Sequence, residues 1–380
     1  MATFMMTTMA LQFKNKSEDF IGSLSACEAL GESLFVGGDE GVEMVRLETR
    51  DDGKRYEEAN AIDLRTWFDL PMPQPPKGKK KVPEVDLEGM AFDPNRQGLW
   101  LLGSHSWKRG KAKPSEDDAP NLAALSDLKP DGNRFFLGFL PLREKNGNWR
   151  LDDAGKEHQG RRAKMLDCDA TRSALLDEMR KDKLFEPFVG AKQPVPGKDN
   201  GVDFEGITVA PGGQVLVGLR GPVLRGLAVF LELAPVEAGV AGAKADRVQL
   251  DTIGPGGRRY RRHFLDLRGN GIRDLCWHDS GLLILAGPTM SLDAPPLIFR
   301  WQDAAKHMGQ VADAPEHFAW TKEIAQVKLE IPWENGKAGK DHAEAITFLP
   351  DGRLLILYDA PGDARLPVPG TVTADAIEWP

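Results

Sequence analysis

A two-strand unit that recurs along the chain, an acid at the head of each copy, and 40 glycines with 27 prolines to turn the strands predict an all-β protein arranged as a single β-propeller. The clearest copy is Val85 to His105, VDLEGMAFDPNRQGLWLLGSH. Its apolar runs Met90–Phe92 and Leu99–Leu102 flank an Asp-Pro-Asn turn, the pattern of a β-hairpin. The pattern returns at 202–222, 272–289 and 342–361, and more weakly at 24–41. Starts near 24, 88, 205, 274 and 344 lie about one blade apart once insertions are allowed, blades running to roughly 40–50 residues. Five blades are visible. The long gap between 88 and 205 holds an insertion, or else a sixth blade within 130–200.

With 380 residues, the expectation is one domain over 1–380 carrying insertions at about 107–130 and 152–200. Hydrophobic residues at 41% and charged residues at 28% describe a globular chain. A net charge of −8 argues against nucleic acid as the main partner. No apolar run approaches the roughly 18 residues of a membrane span. The start, MATFMMTTMALQF, lacks a basic leader region, so it reads as a mature N-terminus with a cytoplasmic location. Cys27, Cys168 and Cys276 have no metal-type spacing; Cys27 and Cys276 fall at matching places in first strands, where a thiol acts as a small core residue.

In chain order, Ala10–Phe13 is a strand available to complete the last blade. The first blade runs Leu24–Leu30, Ser33–Gly38, Val42–Leu47 and Tyr56–Leu64. Met72–Val82 is Pro-rich and then basic (Lys77, Lys79, Lys80, Lys81), which reads as a solvated loop or as an anion-gathering lid over Asp86 and Glu88. The second blade adds Phe135–Leu140 and Trp149–Leu151 to its hairpin, with a charged excursion over 107–130. Ala170, Ala174, Leu175, Met179 and Leu184 recur at helical spacing. They predict one amphipathic helix over Asp169–Phe188, N-capped by Asp169 or Thr171 and closed by Pro187. The third blade continues with Leu227–Leu233 and an outer strand at Val248–Asp251 or His263–Leu267. Arg258, Arg259, Arg261 and Arg262 there point outward if strand and are solvated if loop. The fourth holds Leu282–Ala286, Leu297–Trp301 and Val327–Ile331. The last holds Ala345–Leu349, Leu354–Tyr358 and Thr371–Trp379, lacking the outer strand that Ala10–Phe13 would supply.

First strands of blades line a central channel, so Glu88, Glu205, Asp274 and Glu344 would form a ring about its axis. Asp86, Asp203 and His342, two positions earlier, share that strand face. Facing carboxylates repel unless a divalent cation, calcium first among oxygen-liganded ions, or arginines, or protonation neutralises them. Second strands end in a further polar set, Asp39, His105, Arg220, Thr289 and Asp359. In the clearest copies this tip lies fifteen to seventeen residues after the acid. Acid and tip would then share one channel mouth. Glu88, Glu205 and Glu344 would bind a cation or activate water, with Asp274 a fourth metal ligand. His105 would serve as acid or base, and Lys108, Arg109, Arg220 and Asp359 would hold a small anionic molecule. The alternative is structural: each acid caps a neighbouring strand or pairs with an arginine. No nucleophile elbow, phosphate-binding Gly loop, His-Glu-x-x-His or Cys-x-x-Cys is present.

Asp86–Leu87–Glu88–Gly89, Gly103–Ser104–His105–Ser106, Asp203–Phe204–Glu205–Gly206, Glu344–Ala345–Ile346 and Tyr358–Asp359–Ala360–Pro361 resemble the bacterial family called domain of unknown function 3616, over about Leu24 to Trp379. That resemblance implies a β-propeller without an assigned activity. The Glu-Gly-hydrophobic strand is also similar to the esterase-like phytases and, more loosely, to the metal-dependent gluconolactonase propellers. The last resemblance implies Glu88 or Glu205 as a ligand to a divalent cation, although the remaining Asn/Asp ligand pattern of the gluconolactonases is not recognisable here.

Overall fold

The structure is a computed structural model that describes residues 4–14, 16–51, 53–130, 132–151, 161–190, 192–241, 244–290, 292, 294–309, 312–327, 329, 331 and 340–379. It is mostly β, in several sheets. Among the described residues, no helix is long and apolar enough to cross a membrane.

Each sequence copy opens an antiparallel strand group. Leu24–Leu30 pairs with Ser33–Gly38, then Glu43–Arg50, then Arg55–Asp63. Leu87–Asp93 leads to Gly98–Gly103, Leu137–Lys145 and Lys164–Leu166. Asp203–Val209 leads to Val215–Gly221, Ala228–Leu233 and Arg261–Leu265. Gly271–His278 leads to Gly281–Gly287, Leu297–Trp301 and Ile324–Gln326. His342–Phe348 leads to Arg353–Asp359, Thr371–Glu378 and, from the far end of the chain, Met6–Gln12. Met6–Gln12 also runs parallel to Arg55–Asp63, which merges the first and last groups into one eight-stranded sheet.

The five first strands touch in a closed cycle: the first contacts the second, then third, fourth, fifth and the first again. The apolar clusters repeat that cycle. Met44, Phe68 and Phe136 pack between groups one and two, and Trp100, Phe204 and Val217 between two and three. Leu216, Ile272 and Phe299 fill the next space, Ile298, Ile346 and Leu354 the fourth, and Val36, Leu47 and Leu355 the last. A strand buried on both faces needs apolar residues in runs, which explains why sequences such as Leu282–Leu285 do not alternate.

The Asp-Pro-Asn turn of the second group is fixed by Asp93, which is fully buried. Its carboxylate accepts from the Asn95 and Arg96 amides (3.0 Å each), from Arg96 Nη1 (2.6 Å) and from Trp100 Nε1 (3.1 Å). Buried polar atoms are tolerated when so fully bonded.

Several expectations change. The 169–188 segment forms two short helices, Ala174–Met179 and Glu186–Val189. Ser173 Oγ caps the first, while Asp169 instead closes its own turn on the Thr171 and Arg172 amides. Pro187 lies in the first turn of the second helix, where a missing N–H costs nothing. Leu175, Leu176, Met179 and Phe185 still pack on the core, so the apolar spacing is real but broken by the turn at Asp182. The third group's outer strand is Arg261–Leu265; Asp246–Leu250 pairs instead with Lys164–Leu166 of the second group. The fourth group's outer strand is Ile324–Gln326, not Val327–Ile331, part of which lies outside the described residues. The closing strand is Met6–Gln12. The strands described between 130 and 200 all join the second group. The excursion over 107–130 carries a small strand pair, Trp107–Arg109 with Leu128–Pro130, and the helix Asp118–Ser126. In the run at 258–262, Arg261 is buried on Glu232 and Arg262 bonds Asp182 and Glu316, while the Arg259 side chain stays partly exposed.

Candidate functional site

Every first strand loses register with its partner at the same place. The skipped residues are Ser25, Glu88, Glu205 with Gly206, Arg273 and Glu344. A β-bulge re-aims the extra side chain, and here five of them turn toward the centre of the strand cycle. The residue after the bulge must be small where inner strands approach. A Cβ on Gly206, whose φ is +76°, would stand 2.6 Å from Asp274 Cα, and one on Gly89 would stand 2.9 Å from Ile207 Cγ2. The Glu-Gly pair of the sequence copies is therefore a bulge followed by a close strand approach.

This register corrects the expected ring. Arg273, not Asp274, stands with the glutamates. Asp274 occupies the place of Gly89, Gly206 and Ala345, and its carboxylate accepts from the Leu275 amide (2.8 Å) and from the Ile346 amide of the next first strand (2.8 Å). It is a strand cap. The signal was present in the sequence: aligning the apolar Met90, Ile207, Leu275 and Ile346 puts Arg273 at the glutamate position.

Arg273 lies between two carboxylates. Its Nη1 donates to Glu205 Oε2 (3.1 Å) and to both oxygens of Glu344 (2.7 and 2.8 Å), and its Nη2 to the Pro288 carbonyl (3.1 Å). Arg220 takes the other Glu205 oxygen (2.9 Å) and the Met290 carbonyl (2.8 Å). Burial opposes the charge on Arg220, but Glu205 and Asp203 more than offset it and hold the guanidinium firmly charged. Arg134 pairs with Asp86 (2.5 Å) and with Glu84, which also meets Lys108.

Above this network opens a cavity of about 500 Å³, lined by Glu88, Glu205, Arg220, Glu344, Asp359 and the rim cations Lys108, Arg109 and Lys198, among others. Glu88 makes no hydrogen bond or ion pair among the described residues. Burial, then Asp86 and Glu205, push its carboxyl well above the usual range. Asp39 is pushed to about 8 by burial and by Asp359 and Asp86, and its Oδ1 is buried without a partner. Burial and Glu205 raise Asp203 to about 7; burial raises Glu344 to about 7 against the pull of Arg273. The mouth thus combines carboxylates bonded to arginine with acids whose carboxyls burial raises above the usual range.

Linkage gives a direct check on Asp39. Its folded pKa lies above the ordinary value, so its stabilising share is complete below about pH 4 and is lost as pH rises through 8. Asp39→Asn will therefore raise the melting temperature at pH 9, by about 1 °C for each kcal/mol recovered. At pH 5 it will change it little. Equal shifts in melts at the two pH values would refute this.

The remaining predicted residues divide. His105 does not reach the cavity. It is buried with φ +55°, its Nδ1 bonds the Gly103 carbonyl (2.8 Å), and its ring sits edge-on to Phe204 and Phe135. It faces a small pocket beside Leu176 and Val202, and burial depresses its pKa to about 4, so it stays neutral. Its place at the tip of a strand suggested the mouth; the left-handed backbone turns it the other way. Arg109 lines the rim, partly exposed, and pairs with Asp199 (2.6 Å). Lys79, Lys80 and Lys81 border a second groove, which adjoins the mouth at Glu40 and Glu84, and Lys81 pairs there with Asp19. Cys27 is buried and all three thiols are free.

The four-carboxylate cation site also fails to form. Asp274 is spent on backbone amides, and a guanidinium stands between Glu205 and Glu344. At the mouth, the described groups that bring ligand atoms within 4.8 Å of one another are His342, Glu344 and Asp359.

Fold and site together define a β protein of repeated four-stranded groups with an acid-lined mouth at their common centre. The chain belongs to the family described as Protein of unknown function (DUF3616), which matches residues 23–375. No curated protein matches the sequence. Similar solved structures include virginiamycin B lyase from Staphylococcus aureus, at 10% identity over 93% of this chain and 68% of that one, with a TM-score of 0.33. An engineered GH43 glycoside hydrolase is 10% identical over 94% of this chain and 50% of its own, with a TM-score of 0.42. The allergen Mala s 1 of Malassezia sympodialis is 9% identical over 93% and 77%, with a TM-score of 0.35.

Proposed function

We propose that the chain is a single five-bladed β-propeller over residues 1–380, and that its channel mouth hydrolyses a small anionic ester or phosphoester in the cytoplasm. The closed cycle of first strands supports the blade count. The observation that carries the chemistry is the Glu88 carboxyl, pushed well above the usual range by burial, Asp86 and Glu205, in one cavity with Glu205, whose two oxygens are taken by Arg220 and Arg273. Carboxyls whose surroundings push them apart in this way can divide acid and base work. Glu88 would protonate the leaving group. Asp203, raised to about 7, would take the proton of the attacking water, since a base works best with a pKa near the working pH. Lys108, Arg109 and Lys198 at the rim would meet the substrate's anion. A divalent cation enters this reading only at His342, Glu344 and Asp359, where it would compete with Arg273 for Glu344.

A second reading, a propeller that binds a small ligand without turning it over, is favoured by the ion pairs that already occupy Glu205 and Glu344 and by the missing nucleophile. A panel of phosphoester, carboxyl ester and lactone substrates, run with and without chelator, separates the two. Glu88→Gln is expected to lower turnover by about 10²–10⁴-fold, the usual share of an acid catalyst, with the melting temperature at pH 5 unchanged. No turnover by the unsubstituted protein of any class, beside a ligand-induced rise in melting temperature, would replace hydrolysis with binding.

A further inference from the structure

A second cluster of ligating groups lies in the stretch that joins the third and fourth strands of the fourth group. His307 ends the short turn Ala304–His307, His317 begins the strand His317–Ala319, and Glu323 sits just before Ile324–Gln326. Both imidazoles lie on the face of the buried Trp301, with centroids 5.3 and 5.2 Å away and tilts of 27° and 9°. They stack on each other at 3.8 Å. Both Nε2 atoms approach the same oxygen, Glu323 Oε2, His317 at 2.9 Å and His307 at 3.7 Å.

One proton satisfies only part of this arrangement. His317 can donate to Glu323, but 3.7 Å is too long for His307 to do the same. From this geometry we infer that His307, His317 and Glu323 form a binding site for a divalent first-row transition ion of the zinc class. Zinc bonds of about 2.0–2.2 Å to imidazole and carboxylate place tetrahedral ligands about 3.4 Å apart. The two measured separations straddle that value, and one ligand atom from each residue lies within 4.8 Å of the others. Two imidazoles and a single carboxylate suit zinc, nickel or copper; calcium wants six to eight oxygens. The indole beneath holds both rings in place. His263, whose ring lies 6.5 Å from that of His317, is turned away to Glu232 (2.8 Å) and is not a ligand. The three side chains are a quarter to a third exposed, so water can complete the coordination. The site shares no residue with the channel mouth.

The test uses the full chain, stripped with chelator, and titrated with zinc alone by calorimetry and with cobalt by visible absorption. One equivalent of zinc should bind with a dissociation constant of about 10 μM or tighter, and cobalt should show the intense bands of a tetrahedral site. His317→Ala should abolish those bands and weaken zinc at least about 10-fold, and Glu323→Gln should weaken it by at least several-fold. Glu344→Gln with Asp359→Asn should leave it unchanged. If His317→Ala does not fold, His307→Ala, part-exposed in a short turn, replaces it. Failure to saturate below about 1 mM zinc, or zinc binding that is not weakened by loss of either histidine, overturns the site.

Discussion

Arg273→Met will cost the fold about 3–5 kcal/mol near neutral pH, the usual penalty for leaving buried charges unpaired. Arg273 is the shared counter-ion of Glu205 and Glu344, three side chains from three neighbouring first strands, each at most a tenth exposed. Methionine fills much of the volume and removes the charge, so the loss is electrostatic more than steric. The deficit must depend on pH in a stated direction. Glu344 already sits at about 7 with the arginine in place and will rise further without it. A raised folded pKa preserves stability below the unfolded value and forfeits it as pH climbs through the folded one. Urea unfolding should therefore show a larger gap between variant and parent at pH 8 than at pH 5. A deficit that is the same at both, or below about 1 kcal/mol as for a surface pair, would mean that Arg273 does not hold the ring.

Glu232→Ala is expected to be as severe, again about 3–5 kcal/mol, for a residue outside the channel mouth. Glu232 is fully buried in the third group. Its Oε2 accepts from Arg261 Nε (3.0 Å) and Nη2 (2.6 Å) and lies 2.8 Å from His263 Nε2, while its Oε1 accepts from the Gly309 amide (2.8 Å). Truncation leaves the buried Arg261 without an anion and opens a cavity beside Phe230. Burial works against Glu232, yet His263 and Arg261 hold its carboxyl below the usual range. Its stabilising share is thus present above the unfolded value of about 4.3 and lost as pH falls through the folded one. Glu232→Gln, which keeps the acceptor for Gly309 without the charge, should fall between the two. Denaturant midpoints for the three proteins decide this; equal midpoints for Gln and Ala would show that the charge is irrelevant.

The strand groups were legible because each hairpin carries its own local evidence: paired apolar runs, a Gly, Pro or Asp turn, and a spacing that repeats. Glu88, Glu205 and Glu344 could be read as convergent for the same reason. Arg273 could not be read from the acids alone, because matching acid to acid slid the fourth copy by one residue. In a strand, one residue exchanges the two faces. His105 was misplaced by a backbone angle that sequence spacing does not carry. The later start of the 174–179 helix turned on Ser173 outcompeting Asp169 as a cap, and its early end on the turn at Asp182. The ionic partners of Arg261 and Arg262 lie 29 and 54 or more positions away, beyond the reach of any local pattern.

The pairing of Met6–Gln12 with Thr371–Glu378 bears on biosynthesis. Thr7 and Ala376, joined by a hydrogen bond, are 369 positions apart. The ribosome delivers the first of these strands long before its mate. In between, the nascent chain presents an unsatisfied strand edge to its surroundings. Closing so long a loop adds little free-energy cost, because that cost grows only with the logarithm of length, but the seal cannot precede the synthesis of Thr371–Glu378. Aggregation during slow synthesis, and its relief by holding chaperones, should be governed by this final step more than by the stability of any one sheet.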